Sequence, residues 1–308
     1  MQTYLEKVAV SFSPDRIWLA MTVMLVMVWP ANQFALKAVA EEDLPSAVEY
    51  GTPKKLCKLQ SRSIRESSGI AASRSSSNWF WTHNDSGDRA RIFAFDTGGN
   101  HLGTCQLEGA KAIDWEDMAS FELDEQSYLL LADVGDNAAR RKNCVLYLVV
   151  ERSPVVERWD LSQAVRFTYE DRPHDCESIG FDSTLRQVLL VTKDWNITSQ
   201  VFALDWPTEN SQEVLIAKKI GTLPYPGVTA MDVSPDGNRA IVLTYADAFE
   251  YSRANEETWA EAFSRAGRPI SMPDRGQGEA ICYGLDGWTL YLTSEATPTP
   301  LYRVSVKD

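Results

Sequence analysis

The sequence is poor in the residues that build zinc sites and activated serine nucleophiles. It has three histidines and five cysteines in 308 residues, and no two cysteines show the Cys-x-x-Cys spacing. This scarcity argues against a structural zinc site, which needs several such ligands close together. The sequence also contains no Gly-x-Ser-x-Gly segment, so it predicts no nucleophile elbow of the α/β-hydrolase kind.

Positive charge is scarce as well. The chain has 30 Lys and Arg residues against 43 Asp and Glu residues, which gives a formal net charge of −13 at pH 7 and a pI near 4.8. Nucleic acid and anionic membrane surfaces repel such a chain, so we predict neither as a partner. Metal cations and neutral or cationic small molecules fit the charge better.

The N-terminal apolar run is too short for an ordinary transmembrane helix. Residues 17–29 form a run of 13 residues, whereas about 20 are needed to span a bilayer. A polar start precedes the run, and the small residues of Ala38-Val39-Ala40 follow it as a signal peptidase requires. We therefore predict a signal peptide over residues 1–40, export to the periplasm or the exterior, and no stable membrane span after cleavage. Retention of the run as an anchor is the alternative.

Strand patterns recur five times along the rest of the chain. Each copy starts with a short strand, continues through a turn into a strongly apolar second strand, and ends with a third. The first strands are SSGIAAS (67–73), EDMASFE (116–122), ESIGFDS (177–183), TAMDVSP (229–235) and EAICYGL (279–285). Copies of about 40 to 50 residues with several strands each are typical of a β-propeller.

A fourth strand is predicted in four copies, at residues 101–107, 164–169, 213–220 and 269–272. The fifth copy has none, and the strand-like segment 55–64 belongs to no copy. We predict that this segment pairs with the last copy and covers its open edge. The predicted fold is therefore an all-β, five-bladed β-propeller closed by an N-terminal strand. Six blades, with the extra one from residues 151–169, are the alternative.

This fold divides the chain into a signal peptide (1–40), a lead-in segment (41–54) and a β-propeller (55–308), which we expect to be a monomer. Export would place the cysteines in an oxidising compartment, where their odd number leaves at least one thiol unpaired. Cys144 and Cys176 are predicted to reach the same face, so we predict that they can form a disulfide.

The topology also predicts one functional face. In a propeller, the loops that enter the inner strands and the loops between second and third strands open on the same side, around the axis. The residues that enter the inner strands are Ser68, Glu116, Glu177, Thr229 and Glu279. Clustered carboxylates raise one another's pKa unless a cation is bound, and Ca²⁺ suits such oxygen ligands.

We therefore predict a Ca²⁺ site with six ligands: Glu116, Glu177, Glu279, Asp85, Asp136 and Asp194. The alternative is that these acids cap loops by accepting backbone N–H groups. Further residues on the same face are predicted to contact a small molecule or an envelope component: Asn84, Asp117, Asp133, Asn137, Lys193, Tyr245, Arg275 and Glu295.

Several phrases support a resemblance: WTHNDSGD, DWEDMA, LLADVGDN, CESIGFD, VTAMDVSPDG and GQGEAI. Together they resemble a family of exported bacterial β-propellers, mostly uncharacterised and loosely akin to phytase-like and esterase-like phytase propellers. The resemblance covers residues 60–305 and implies a secreted or periplasmic propeller that binds metal or acts as a hydrolase. The resemblance implies that the family's site positions correspond here to Asn84, Asp85, Glu116, Asp117, Asp133, Asp136, Asn137, Glu177 and Glu279. Basic residues that would hold several phosphates are sparse near these loops, which argues against phytate hydrolysis.

Two function classes stay open. The first is a ligand-binding or cell-envelope propeller of unknown substrate, favoured because no complete catalytic constellation is present. The second is a Ca²⁺-dependent hydrolase of the phosphoesterase, lactonase or esterase type, suggested by the acidic loops together with Lys193. The fold alone does not decide between them.

Overall fold

The computed structural model describes residues 48–208 and 213–307. This part of the chain contains 21 strands and one short α-helix. The predicted all-β propeller class is confirmed. The predicted signal peptide and the start of the predicted lead-in segment lie outside the described residues.

The chain forms β1 (Lys54–Lys58) and then five groups of strands, which we call blades one to five. Blade one consists of β2 (Ser67–Ala72), β3 (Trp79–Asn84), β4 (Arg91–Asp96) and β5 (His101–Glu108). Blade two begins with β6 (Trp115–Leu123), β7 (Gln126–Asp133) and β8 (Cys144–Val150); the short β9 (Arg158–Asp160) follows, and β10 (Gln163–Tyr169) completes the blade.

Blade three consists of β11 (Cys176–Asp182), β12 (Gln187–Thr192), β13 (Ser199–Asp205) and β14 (Val214–Leu223). Blade four has β15 (Val228–Val233), β16 (Arg239–Thr244) and β17 (Ala248–Ser252), then α1 (Trp259–Ser264), then β18 (Arg268–Ile270). Blade five consists of β19 (Gln277–Tyr283), β20 (Leu290–Glu295) and β21 (Pro300–Val304).

The first strands of the blades form a closed ring. β2 contacts β6, β6 contacts β11, β11 contacts β15, β15 contacts β19, and β19 contacts β2. At the outer edge of blade five, β1 pairs antiparallel with β21. The N-terminal strand therefore supplies the fourth strand that blade five lacks, and the bridge from Tyr50 to Val306 extends this pairing into the end of the predicted lead-in segment.

Residues 151–169, the source of the alternative sixth blade, add strands to existing sheets instead. β9 pairs in parallel with β5 at the edge of blade one, and β10 pairs antiparallel with β8 in blade two. β10 also pairs in parallel with β14, so blades two and three share one sheet. These pairings cover strand edges that would otherwise be open to other chains.

The core lies between neighbouring blades, where the apolar faces of two sheets meet. Between blades two and three, for example, Leu130 and Leu190 are fully buried, and the rings of Phe121 and Phe181 stack with centroids 3.7 Å apart. A second strand buried on both faces reads as a continuous apolar run rather than as an alternating pattern. This explains why the second strands gave the clearest signal in the sequence.

Helix α1 is anchored at the end of the propeller away from the inner-strand entry loops. It begins with a capping box between Thr258 and Glu261. The buried Trp259 donates its Nε1–H to Asp182 Oδ2 over 2.8 Å, at the far end of β11 from Glu177. Within the described part of the chain, no helix has both the length and the apolar character needed to cross a membrane.

The predicted disulfide is wrong, because all five cysteines are free thiols. Cys144 and Cys176 lie on β8 and β11 and are buried in the core between blades two and three. Their Sγ atoms lie near carbonyl oxygens, of Val134 at 3.7 Å and of Val191 at 3.4 Å. Burial raises the pKa of the Cys144 thiol to about 12, so it is a poor nucleophile for disulfide exchange.

Candidate functional site

Each inner strand begins with a β-bulge. The register against the second strand shifts at five places: Ser67/Gly69, Trp115/Asp117, Cys176/Ser178, Val228/Ala230 and Gln277/Ala280. A bulge leaves an unpaired residue and re-aims its side chain. The bulges contain Ser68, Glu116, Glu177, Thr229 and Glu279, all of them buried. We call the end of the ring that carries these bulges the axial face.

Two bulge residues carry hydroxyl groups that connect neighbouring blades. Ser68 Oγ donates to the carbonyl oxygen of Glu116 over 2.6 Å. Thr229 Oγ1 donates to the carbonyl oxygen of Gly278 over 2.7 Å. Both hydroxyls are therefore used to bond the bulge of the next blade. The glutamates at the other three bulges make different contacts.

Asp85, Asp114 and Glu116 form a close group on the axial face. One carboxylate oxygen from each residue lies within 4.8 Å of the other two. Asp85 directly follows β3 of blade one, whereas Asp114 and Glu116 lie at the start of β6 in blade two. Carboxylate oxygens brought together in this way are the ligands that Ca²⁺ and other hard divalent cations prefer. We call these three residues the acidic group.

Burial and mutual repulsion raise the pKa values within the acidic group. Burial, and then the charges of Asp85 and Asp175, raise the pKa of Asp114 to about 6. Burial, and then the charges of Glu177 and Asp85, hold the pKa of Glu116 well above its ordinary value. In the ranges 48–208 and 213–307, no group donates a hydrogen bond to the buried Glu116 carboxylate. Ionising a carboxyl group in these surroundings is costly, and a bound cation would offset that cost.

Gly135, just after β7, leaves the space that the acidic group occupies. A Cβ atom there would overlap Glu116 Oε1 and would lie 2.6 Å from Asp114 Cγ. The N–H groups of Val134 and Gly135 both donate to the Asp114 carbonyl oxygen, at 3.1 and 3.2 Å. The backbone therefore lies directly against the two carboxylates, and a larger residue here would displace them.

The other two bulge glutamates have protein partners. Glu177 Oε2 lies 2.8 Å from Lys193 Nζ, and Tyr245 donates its hydroxyl to Glu279 Oε1 over 2.8 Å. Burial raises the pKa of both glutamates, although the Lys193 ammonium opposes the shift at each. Glu279 Oε2 is buried and has no hydrogen-bond partner among the described residues.

The predicted Ca²⁺ ligands are thus only partly brought together. Asp85 and Glu116 lie in the acidic group, whereas Glu177 and Glu279 bond Lys193 and Tyr245. A metal site shared by the three glutamates alone is not what the structure shows. The reason is Lys193, whose ammonium already supplies a positive charge at Glu177.

Of the remaining two predicted ligands, Asp136 follows the loop-capping alternative, whereas Asp194 accepts a side-chain hydroxyl. Asp136 Oδ2 accepts the Arg141 N–H over 2.6 Å and closes the loop after β7. Asp194 Oδ2 accepts the Thr192 hydroxyl over 3.4 Å. Neither belongs to the acidic group.

Three residues predicted to bind a ligand are instead held by structural contacts. Asn84 Oδ1 accepts the Arg65 N–H at 2.9 Å. Asp133 is fully buried and lies 2.8 Å from Arg141 Nη1. Asp117 is fully buried and accepts backbone N–H groups from three inner strands. Their ligand-binding roles stay predictions, and the buried Asp133 Oδ2 has no hydrogen-bond partner among the described residues.

The other predicted ligand-binding residues are placed more variably. Arg275 Nη2 donates to the Thr244 carbonyl oxygen at 2.8 Å and so holds the loop before β19. Asn137 is exposed in the loop after β7. Glu295 ends β20 half-buried, and burial followed by the charge of Glu279 raises its pKa to about 7. Lys193 and Tyr245 lie together on the axial face.

Sequence reasoning missed Asp114 and Asp175. Asp175 Oδ1 accepts the Asp136 N–H at 2.8 Å, and its charge contributes to the raised pKa values of Asp114 and Glu116. Both residues lie two positions before a bulge glutamate, in Asp114-Trp115-Glu116 and Asp175-Cys176-Glu177. The shared Asp-x-Glu pattern was the signal that could have found them.

The chain matches no known protein-family profile. No curated protein matches it either. Among solved structures with a similar arrangement of strands is a gluconolactonase from Xanthomonas campestris, which shares 10% sequence identity. The match covers 83% of this chain and 89% of that protein, with a TM-score of 0.48. A likeness this distant supports no statement about activity.

Proposed function

We propose that this protein is an exported β-propeller whose axial face binds a divalent cation together with a small molecule or an envelope component. The acidic group of Asp85, Asp114 and Glu116 would hold the cation, for which Ca²⁺ is our prediction. The observation that supports this proposal is the approach of three carboxylate oxygens to within 4.8 Å of one another. Burial and the charges of Glu177 and Asp85 also make the ionised Glu116 carboxylate costly, and a cation would offset that cost.

The donor set suits Ca²⁺ better than a softer metal. All three side chains offer oxygen, and no histidine or thiol joins the group. Ca²⁺ takes about six to eight oxygen ligands, so three carboxylates would leave positions for water and for oxygens of a bound molecule. A ligand rich in oxygen could then share the cation with the protein.

Thermal unfolding with and without cation tests the proposal. A ligand that binds only the folded state adds about 2.7 kcal/mol when its free concentration is a hundredfold above Kd. Excess CaCl₂ should therefore raise the Tm clearly more than MgCl₂ or NaCl of equal ionic strength, because Mg²⁺ demands regular octahedral geometry. Calorimetric titration of the metal-free protein should give a Kd that agrees with the Tm shift.

Two variants and a control make the test specific. Asp114→Asn and Glu116→Gln should each lose most of the Ca²⁺ response. Asp160→Asn, at an exposed carboxylate on β9, should keep it. Equal, small Tm shifts for all three salts, or a full Ca²⁺ response in Asp114→Asn, would refute the cation site.

Hydrolysis is a second candidate function, and a specific observation favours it. Two carboxyl groups have a pKa raised towards neutrality, Asp114 to about 6 and Glu295 to about 7, and Glu295 lies within the field of the Lys193 ammonium that pairs with Glu177. Groups that titrate near working pH are suited to general acid–base catalysis. Turnover of simple phosphate esters, lactones or esters that needs Ca²⁺ and disappears in Glu177→Ala would support a hydrolase.

Export is part of the proposal and rests on the sequence of residues 1–40. We expect the mature protein to begin at Glu41 and to appear outside the cytoplasm. N-terminal sequencing of the protein from fractionated cells measures both. A mature chain that still begins at Met1 in the cytoplasmic fraction would refute export.

A further inference from the structure

A large aromatic side chain is exposed on the axial face. Trp195 is 69% exposed, and it lies in the loop after β12 that also carries Lys193. Its ring stacks on Tyr245 with centroids 5.7 Å apart and an interplanar angle of 12°. An exposed tryptophan that is stacked next to charged groups is a typical contact surface for a ligand, because its face is apolar and its edge is polar.

The two rings are supported from the protein side. Gly227 has a φ of +65° and donates its N–H to the Asp194 carbonyl oxygen over 2.8 Å. A Cβ atom on Gly227 would lie 3.6 Å from Tyr245 Cδ2 and 3.7 Å from Trp195 Cζ3, so the backbone of this turn packs against both rings. The exposed ring is therefore backed by Tyr245 and by this turn. We call Trp195 and Tyr245 the aromatic pair.

Polar groups with hydrogen-bonding capacity adjoin the aromatic pair. Lys193 Nζ lies 5.3 Å from the Tyr245 centroid and 5.8 Å from the Trp195 centroid, and it has donors beyond the one used by Glu177. The Tyr245 hydroxyl bonds Glu279, whose Oε2 lacks a partner among the described residues. An apolar ring face thus adjoins an ammonium donor.

We propose that the aromatic pair is a stacking platform for a neutral, hydroxyl-rich ring, that is, a saccharide or a related cyclic polyol. The C–H face of such a ring would lie on Trp195, while its hydroxyls would accept from Lys193. This inference deepens the proposed function and rests on it in one respect, that the axial face binds the small molecule. It does not depend on the cation.

Two other ligand classes fit the same surface less well. A cationic ligand would compete with the Lys193 ammonium, which already lies over both rings. A nucleotide could stack on the tryptophan, but its phosphates would be repelled by the acidic group and by a chain of net charge −13. A neutral ring meets neither penalty.

Titration of the purified protein with defined probes tests the inference. The probes are methyl glucoside, cellobiose and myo-inositol, with the open-chain polyol sorbitol as the control, and binding is measured by calorimetry and by tryptophan fluorescence. We expect saturable binding of at least one cyclic probe and none of sorbitol. In Trp195→Ala the affinity should fall about five- to tenfold, as expected for the loss of one stacking contact. Ile197→Ala, at an 82% exposed position in the same loop, should bind as the wild type does.

The outcomes separate this inference from the cation site. Trp195→Ala should keep the full Ca²⁺ response in Tm, because the aromatic pair contributes no ligand to the acidic group. Ca²⁺ binding without binding of any cyclic probe would overturn the saccharide inference and leave the cation site standing. Binding of a cyclic probe without a Ca²⁺ response would refute the cation site and leave the saccharide inference standing. Probe binding that is unchanged in Trp195→Ala, or equal for sorbitol, would also overturn the inference.

Discussion

Replacing Asp117 by alanine is expected to destabilise the ring of inner strands by about 3 to 5 kcal/mol. The Asp117 side chain is fully buried in β6. Its Oδ1 accepts the N–H of Met118 at 2.8 Å, and its Oδ2 accepts those of Ile179 at 2.9 Å and Met231 at 3.2 Å. One carboxylate thus joins the inner strands of blades two, three and four.

The magnitude follows from two opposing contributions. Alanine leaves three buried N–H groups without this acceptor, and each unsatisfied donor costs about 1 to 3 kcal/mol. Against this, burial raises the pKa of Asp117 well above its ordinary value, which shows that the ionised carboxylate is itself costly to bury. Three such donors would cost about 3 to 9 kcal/mol together, and removing the buried charge offsets part of this cost, so we expect a net loss of about 3 to 5 kcal/mol.

Equilibrium urea unfolding at pH 7 measures the effect. Asp117→Ala should lower the unfolding midpoint at an unchanged m-value, and Asp117→Asn, which keeps one acceptor oxygen, should lose less. Asp160→Asn serves as the control for loss of one negative charge. A loss below about 1 kcal/mol in Asp117→Ala, the size of an ordinary substitution, would refute the argument that this carboxylate holds three strands together.

Four further predictions follow from other contacts. Burial raises the pKa of Asp232 from 3.8 to about 7. The stability that the protonated Asp232 contributes is therefore complete below pH 4 and is lost as the pH rises through 7. Asp232→Asn should flatten that part of the stability–pH curve, measured by urea unfolding. Gly135→Ala should abolish the Ca²⁺ shift in Tm, whereas Gly276→Ala, with no atom within 4 Å of its added Cβ, should not. Glu177→Gln and Lys193→Met should each destabilise the protein. In a double-mutant cycle, the double variant should lose about 1 to 3 kcal/mol less stability than the sum of the two single losses. Thiol titration of unfolded, unreduced protein should find five free thiols, and a count of three would show that one disulfide forms after all.

The fold could be predicted from the sequence because every blade repeats the same order of strands and turns. The second strands are buried on both faces, so their apolar runs stand out, and the segment that pairs β1 with β21 was recognised because it belonged to no repeat. The parallel pairing of β10 with β14 was not predicted. It depends on how the outer edges of two blades approach each other, and no local pattern encodes that approach.

The site was predicted less completely, and the reason is side-chain direction. Sequence position placed Cys144 and Cys176 near the same loops, but both point into the core, because side chains on a strand alternate between its two faces. Asp117 shows the same difficulty, since it follows a bulge glutamate yet faces the interior. Position in a repeat predicts which loop a residue occupies, whereas only the register of the bulge decides which side chains reach the axial face.

The bulge position itself connects the architecture to the proposed chemistry. Where the bulge residue is serine or threonine, its hydroxyl bonds the next blade; where it is glutamate, the carboxylate needs another partner. Glu177 pairs with Lys193, and Glu279 accepts a hydrogen bond from Tyr245. Within the described residues, the Glu116 carboxylate accepts no hydrogen bond. A cation at the acidic group would complete this pattern. It would also divide the axial face into a cation half at blades one and two and an organic-ligand half at blades three to five.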